Sequence, residues 1–329
     1  MTVQAAPRPK GTSSLWPYLV LSAAPLCWAG NIVLARGVAD LIPPVAFAFW
    51  RWVLAFVLIL PFTLRQLAQD RGAIARRWKI LLLLAGLGIS SFNALLYTAV
   101  HTTTAINGAL IQSTMPAVIV LLSLILYREK IAARQMGGVL LCIMGACLVA
   151  LRGDLKRLLT MSFVQGDLLM AIAVVFYGLY STLLRRRPAI HPLSFLASTF
   201  FLGAAGLFPV YLAELAITGP FALNRDIVLS ILYVAIFPSI VAYFCWNKGV
   251  DLVGPNRAGL FINLIPAFAS LLSVWLLGES IQVYHLGGMG LVAGGMFLFY
   301  YPKTLNGSFI SGHAKSGTAA LILPKRIKA

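Results

Sequence analysis

Amide and phenol side chains lie inside otherwise apolar stretches of this chain. Asn93 and Tyr97 are four residues apart, so they share one face of a helix. At a shift of 150 residues the same two types recur in the opposite order, as Tyr243 and Asn247. Hydrogen-bonding groups among aromatic rings suit a small organic molecule with an apolar body and a polar end. The pattern predicts a binding cavity; aromatic residues that only pack a bundle or lie at its interfaces are the alternative.

The same repetition brings further residues into the predicted cavity. Trp28 and Asn31 have aromatic counterparts 149 residues later, and more polar or aromatic residues flank the helices already considered. The predicted substrate-binding set is Trp28, Asn31, Asn93, Tyr97, Gln112, Tyr177, Tyr180, Tyr243, Trp246, Asn247 and Asn263.

Two prolines occupy equivalent places in this repetition, Pro116 and Pro266. Each removes the backbone donor for a carbonyl four residues earlier, so we expect a helix kink at both positions. A kink would open a cavity and offer free backbone groups to a ligand. Neighbouring helices that satisfy the kinked backbone are the equally open alternative.

Arg51 is the one charged residue well inside an apolar stretch, and its counterpart in the second half is Thr199. A cation in hydrocarbon is costly and usually marks a functional position. It would attract a substrate carboxylate, or it would be a structural cation that binds carbonyls or reaches the interface. The sequence leaves both roles open.

The composition of the chain predicts the helices that position these residues. Of 329 residues, 60% are apolar and 11% are charged, against roughly 25% charged in an ordinary soluble domain. Ten stretches approach the roughly 20 apolar residues that cross a bilayer. We therefore predict an all-α membrane protein of ten transmembrane helices. The predicted spans are residues 15–36, 44–64, 79–100, 104–127, 134–151, 164–184, 193–213, 227–249, 256–277 and 283–301.

An internal repeat organises these spans. Residues 110–151 align without a gap on residues 260–301, with 14 identities in 42 positions. Each unit holds five helices, an odd number, so the second unit must enter the bilayer from the opposite side. We expect two inverted five-helix repeats, residues 15–151 and 164–301, with tails at 1–14 and 302–329. Transporters commonly use such repeats, with the substrate near the midplane and alternating access.

The distribution of charge fits this topology. With the N-terminus in the cytoplasm, 20 basic residues fall on the cytoplasmic side and five on the other. This is a positive-inside pattern, and it predicts that both termini are cytoplasmic. It also explains the net charge of +17 without a nucleic-acid partner.

Short motifs resemble the drug/metabolite transporter superfamily, in its ten-helix branch of two EamA-type units. They are "CWAGNIVLAR", "PPVAFAFWRW", the prolines of predicted helices four and nine, and the loops at Glu129 and Glu279. The chain looks most like bacterial inner-membrane exporters of amino acids, especially aromatic ones. The resemblance implies an exporter with the lipid bilayer and a small-molecule substrate as partners, functional as a monomer. Export of another metabolite or a drug, and a channel or receptor, are the alternatives.

The spans lack several residue types that particular mechanisms require. No acidic residue lies in the middle of a predicted span, which predicts weak or no proton coupling. Nothing suggests paired aspartates, a HExxH or a Ser/His pair, so we expect no enzyme and no cofactor. The four cysteines form no CxxC pattern, so neither a metal site nor a disulfide framework is expected. Glu129 is expected at a helix start, and Gly290 with Gly294 at a close helix contact.

Overall fold

The computed structural model describes residues 15–102, 111–112, 114–129, 131–150, 165–277 and 283–300. Within these ranges every regular element is a helix. Six helical stretches there are long and apolar enough to span a bilayer, and two shorter apolar helices accompany them. The predicted tails, the loop with Glu279 and residues 103–110 lie outside the described ranges.

The helices fall into two series along the chain. The first comprises α1 (Trp16–Gly37), α2 (Pro44–Arg76), α3 (Trp78–Ala85), α4 (Phe92–Thr102), α5 (Met115–Tyr127) and α6 (Ala133–Ala150). The second comprises α7 (Gln165–Leu183), α8 (Pro192–Thr218), α9 (Arg225–Ala235), α10 (Ala242–Val253), α11 (Pro255–Gly259), α12 (Leu264–Leu277) and α13 (Val283–Tyr300).

Two of the predicted spans show how the observed helix bounds depart from the prediction. α2 continues 12 residues past the predicted end at residue 64, because the polar stretch "RQLAQDRGAIAR" is rich in good helix formers. The predicted span 256–277 is divided into α11, a 3-10 segment Leu260–Asn263 and α12. Length and hydropathy locate the apolar core of a span but not the polar turns that extend it.

Pro116 and Pro266 lie in the first turns of α5 and α12. The first backbone N–H groups of a helix have no partner within that helix, so a proline is tolerated there. The α-helical ladders of α5 and α12 therefore begin one and two residues before these prolines, and the expected kinks stay predictions.

Two π-helical segments interrupt the apolar helical stretches Trp78–Thr102 and Arg225–Val253. Gly86–Ser91 joins α3 to α4, and Ile236–Val241 joins α9 to α10. The two segments are separated by 150 residues, the same shift that relates the sequence repeats. Wide π turns leave backbone carbonyls available to side chains, and they are frequent at functional sites.

Equivalent helices of the two series pack against each other. In α6 and α13, a Cβ added at Gly138 would lie 2.7 Å from the carbonyl oxygen of Gly295, and one at Gly145 would lie 2.7 Å from that of Gly288. The contacting residue numbers increase along α6 and decrease along α13, so the two helices run antiparallel. The two helices can approach this closely because glycine has no side chain.

The predicted close contact at Gly290 and Gly294 is wrong. A Cβ at either position would meet no atom within 4 Å among the described residues. Both glycines lie on α13, whose contact face carries Gly288 and Gly295 instead. Glycine spacing alone does not indicate which of several faces meets a neighbour.

α2 and α8 form a second antiparallel pair. The rings of Phe49 and Tyr211 stack with centroids 4.6 Å apart. At the start of α2, the Glu214 carboxylate accepts hydrogen bonds from the backbone N–H groups of Val45 at 2.9 Å and Ala46 at 2.6 Å. A carboxylate is favoured there, since it satisfies free amides and complements the helix dipole.

The two series also interleave. α1 packs on α10 and α12, while α7 packs on α4 and α5. The first helix of each series therefore contacts the other series, and residues of both line the centre of the bundle.

The chain segments that follow α2, α5, α7 and α10 meet at one end, which we name the arginine end. Arg185 forms an ion pair with Glu129, and Asn256 donates to the same carboxylate at 2.7 Å. Arg187 forms an ion pair with Asp251. Glu129 lies before α6 and not in its first turn, so the expected helix-start role is wrong, and its carboxylate joins three chain segments instead.

Candidate functional site

Arg51 lies at the centre of the bundle with 1% of its surface exposed. Its Nε donates to the Ser239 hydroxyl at 2.6 Å, and its Nη2 donates to the Pro238 carbonyl at 2.9 Å. Its Nη1 donates to Asn93 Oδ1 at 2.9 Å and to the Tyr97 hydroxyl at 2.7 Å. Every one of these acceptors is neutral, so the guanidinium charge is hydrogen-bonded but not neutralised.

A guanidinium carries five N–H donors. Within the described part of the chain, one N–H of Arg51 Nη2 has no acceptor. The Trp52 ring centroid lies 4.7 Å from the guanidinium carbon, which places a cation–π contact on one face. Arg51 therefore joins several helices and still keeps a donor and a charge for a ligand.

An amide–phenol pair recurs in both halves with its members exchanged. The Tyr97 hydroxyl donates to Asn31 Oδ1 at 2.9 Å, between α4 and α1. In the second series the Tyr180 hydroxyl donates to Asn247 Oδ1 at 2.6 Å, between α7 and α10. Tyr97 and Asn247 of the predicted cavity thus have their hydrogen-bond partners at Asn31 and Tyr180.

These pairs define two half-sites. The first half-site is Asn31, Arg51 and Tyr97, and the second is Tyr180, Thr199 and Asn247. Thr199 is included as the sequence counterpart of Arg51, and among the described residues its hydroxyl donates to two carbonyls of its own helix, at 2.9 and 3.1 Å. The repeat preserves the neutral pair and gives the cation to one side.

Carbonyls of the two π segments link the halves. The Gly88 carbonyl accepts the Tyr243 hydroxyl, and the Pro238 carbonyl accepts both Arg51 and the Trp28 indole N–H, the latter at 3.1 Å. Gly88 and Pro238 are themselves 150 residues apart. Each π segment therefore binds a side chain from the opposite series.

Pro238 and Ser239 were not predicted as site residues, although their position inside an apolar run could have indicated them. A proline in mid-span lacks the N–H that would bond the Val234 carbonyl, and the Ser239 hydroxyl donates to that carbonyl at 2.6 Å. The same hydroxyl accepts from Arg51. The adjacent "PS" inside an apolar run was the available pattern.

Aromatic rings cover the cavity beside the half-sites. We name Trp28, Tyr177, Tyr243 and Trp246 the aromatic cluster; the Trp28 ring lies 5.3–6.1 Å from the other three, between ring centroids. These distances are typical of favourable edge-on and tilted ring contacts. The cluster offers an apolar, polarisable surface.

The central cavity encloses ≈ 20 Å³. This is about the space for a single water molecule, whereas sites for small organic ligands are typically several hundred Å³. The described conformation is therefore closed around its centre. The lining residues are Trp28, Asn31, Ile32, Arg51, Phe92, Asn93, Leu96, Gln112, Met115, Tyr177, Tyr243, Ile262 and Ile265.

The structure divides the predicted set into two groups. Six of its residues line the cavity together with Arg51: Trp28, Asn31, Asn93, Gln112, Tyr177 and Tyr243. The others lie outside that lining: Tyr97, Tyr180, Trp246, Asn247 and Asn263. The apolar lining residues were not predicted, because in a chain that is 60% apolar their types carry no positional signal.

Several buried polar atoms near the second half-site have no hydrogen-bond partner among the described residues. They are the Tyr177 hydroxyl, Trp246 Nε1, Asn247 Nδ2 and both side-chain polar atoms of Asn263. Buried polar groups are normally satisfied, and leaving one unpaired costs about 1–3 kcal/mol. In the part of the chain that the structure describes, no cluster of three or more His, Cys, Asp or Glu residues suits a metal ion.

Comparison with known proteins identifies the family. The EamA-like transporter family matches residues 15–151 and 164–301. The uncharacterized transporter YyaM of Bacillus subtilis (strain 168) is 27% identical over 84% of this chain and 90% of its own length. A transporter of Archaeoglobus fulgidus, also uncharacterized, is 26% identical over 84% of this chain and 95% of its own length. A crystal structure with 18% identity superposes with a TM-score of 0.71, covering 87% of this chain and 96% of that one. The chain belongs to the EamA-like transporter family.

Proposed function

We propose that this chain exports small metabolites across the membrane by alternating access, with amino acids, and aromatic ones above all, as favoured cargo. The observation that carries the proposal is the buried, un-neutralised Arg51 beside the aromatic cluster. A cation with a free donor favours a carboxylate, and ring faces favour an apolar or aromatic body.

The proposed architecture is two inverted five-helix repeats. Two equivalent helix pairs support it, because α6 with α13 and α2 with α8 run antiparallel, as a pseudo-twofold axis in the membrane plane requires. The matching π segments support it as well. In this arrangement the cavity lies at the repeat interface, where carriers commonly bind substrate.

The proposed orientation puts the arginine end in the cytoplasm. That end collects the segments after α2, α5, α7 and α10, where basic residues are concentrated. Both termini would then be cytoplasmic, in a bacterial inner membrane, with the monomer as the working unit. Cysteine labelling at Glu129 and Glu279 from each side of the membrane tests it; both positions reacting from one side contradicts inversion.

The proposed energetics need no proton. Arg51 has no carboxylate among its acceptors in the described residues, and a proton-coupled antiporter usually relies on an intramembrane acid. Transport would follow the gradient of the substrate. In proteoliposomes an imposed pH gradient should leave the initial rate unchanged within about twofold; a strong acceleration contradicts the proposal.

A counterflow screen against the twenty amino acids tests the cargo directly. We expect trans-acceleration by aromatic amino acids first. Counterflow also separates a carrier from a channel, because a channel shows no trans-acceleration. If no amino acid gives trans-acceleration, the assignment of amino acids as cargo is wrong, and another metabolite or a drug is the cargo to test.

Two alanine variants next to the cavity lining, one in the first half-site and one in the aromatic cluster, test the site within that screen. Tyr97→Ala and Trp246→Ala should weaken transport of an aromatic substrate while membrane expression stays at the wild-type level. Gly72→Ala is a matched control, since a Cβ there meets no described atom within 4 Å. Normal transport by both test variants would contradict the assigned site.

A further inference from the structure

A wide cleft opens at the arginine end, away from the central cavity. It encloses ≈ 640 Å³ and is bounded by the end of α2 and the segment after α7. Five arginines line it: Arg76, Arg77, Arg185, Arg186 and Arg187. Nothing in the proposed transport cycle uses this cleft.

Only part of this positive charge is neutralised. Arg185 is paired with Glu129, and Arg187 is paired with Asp251. The remaining three arginines are exposed, and no carboxylate of the described residues lies within ion-pairing distance of them. These three are Arg76, Arg77 and Arg186. The cleft therefore holds a surplus of about three positive charges in a space that admits a polar headgroup.

An apolar surface begins directly beside the cleft. Trp78 follows Arg77 in the chain and is 53% exposed, and Leu82, one helical turn later on the same face of α3, is 44% exposed. The Lys79 ammonium lies 6.0 Å from the Trp78 ring centroid. Tryptophan with flanking cations is typical of the boundary between hydrocarbon and headgroups.

We propose that this cleft binds the phosphate group of an anionic phospholipid. Guanidinium groups hold phosphate through paired N–H donors, and three of them here have no protein carboxylate to satisfy them. The acyl chains would lie along Trp78 and Leu82. A soluble phosphate ester shares the headgroup chemistry, but it has no apolar chain to cover that surface.

Native mass spectrometry of the full chain tests the site. The protein is released from detergent micelles containing either phosphatidylglycerol or phosphatidylcholine, and retained lipid is counted. We expect retention of one phosphatidylglycerol in preference to phosphatidylcholine. The site variant Arg76→Gln/Arg77→Gln/Arg186→Gln should lose that retention, by about fivefold for each arginine removed.

The control variant Arg65→Gln/Arg71→Gln/Arg134→Gln removes the same charge from outside the cleft lining. It should retain phosphatidylglycerol like the wild type. Equal loss in both variants, or equal retention of the two lipids, overturns the proposal.

A soluble competitor separates the two sources of phosphate. In lipid-free detergent, sn-glycerol 3-phosphate should raise the Tm less than phosphatidylglycerol does. An equal rise, lost in the site variant, would overturn the assignment to lipid. Because neither readout measures transport, failure here leaves the proposed transport function untouched, and the reverse also holds.

Discussion

The first and second half-sites are built from the same amide–phenol pair but differ in charge. Asn31 and Tyr97 are bonded to Arg51, whereas in the second half Asn247 is bonded to Tyr180 and the sequence counterpart of Arg51 is Thr199. The two half-sites thus share a neutral hydrogen bond, and Arg51 gives one of them a positive charge. A cavity with one charged wall and one neutral wall orients a substrate that has a carboxylate at one end only.

The halves also differ in how completely their polar groups are satisfied. Asn93 accepts from Arg51 and donates to the Ile89 carbonyl at 2.9 Å. Asn247 Nδ2 and the Tyr177 hydroxyl, by contrast, have no partner among the described residues. A network whose polar groups are all hydrogen-bonded is rigid. A network with unpaired polar groups gains hydrogen bonds when its contacts change. We therefore expect the second half to rearrange more when the cavity opens.

The largest effect should come from removing the cation. Arg51→Gln keeps hydrogen-bonding groups but loses the charge, so transport of phenylalanine should fall about 100-fold, equivalent to about 2.7 kcal/mol. Phenylalanine amide, which lacks the carboxylate, should be affected far less. Initial rates in proteoliposomes measure both.

Thr199→Ala is the matched control for that change. It removes only hydrogen bonds to the carbonyls of its own helix, and we expect less than about twofold loss. Equal effects of Arg51→Gln on the acid and on the amide would assign Arg51 a purely structural role.

A carboxylate placed in each half should act in opposite ways. In Asn31→Asp the new acid pairs with Arg51 and competes with the substrate, so phenylalanine affinity should fall about tenfold while the fold is retained. In Asn247→Asp two cations line a cavity with that residue: Arg187, which is already paired with Asp251, and Lys248, which is exposed to solvent. That variant should lose stability instead.

Scintillation-proximity binding and Tm measurements distinguish these two outcomes. Identical behaviour of the two aspartate variants would show that the two half-sites are electrostatically equivalent. That result would contradict the difference in charge between them.

The π segment tests how tightly the halves are joined. A Cβ at Gly88 would lie 2.5 Å from two ring atoms of Tyr180, so Gly88→Ala should destabilise the fold by about 1–3 kcal/mol. Gly86→Ala is the control, because a Cβ there meets no described atom within 4 Å. Thermal unfolding in detergent measures both, and an unchanged Tm for Gly88→Ala would show that the ring moves at little cost.

The smallest effect should come from the paired phenols. Tyr97→Phe loses the bonds to Asn31 and to Arg51, so transport should fall about fivefold, as expected for about 1 kcal/mol. Tyr180→Phe loses one neutral bond and should change the rate less. Substrate titration of initial rates compares them; a larger effect at Tyr180 would reverse the proposed ranking of the halves.

Much of the helical architecture could be predicted, because long apolar runs in lipid must satisfy their own backbone as helices. The site was predicted in part. The 150-residue shift identified aromatic and amide residues, but it grouped Asn93 and Tyr97 with Tyr243 and Asn247, whereas Tyr97 pairs with Asn31 and Asn247 pairs with Tyr180. Residue types were visible in the sequence, whereas their partners depended on which helices cross.

The order of the amino acids was enough to indicate a helical membrane chain, its internal repetition and one cation in an apolar span. These follow from composition and periodicity, which need no knowledge of neighbours. The folded structure was needed to show that Arg51 is bonded to four neutral side chains and one carbonyl. It was also needed to show that Pro238 and Ser239 complete the site, and that Gly288 and Gly295 form the helix contact. Those features depend on contacts between residues far apart in the chain, and helix rotation and crossing set them.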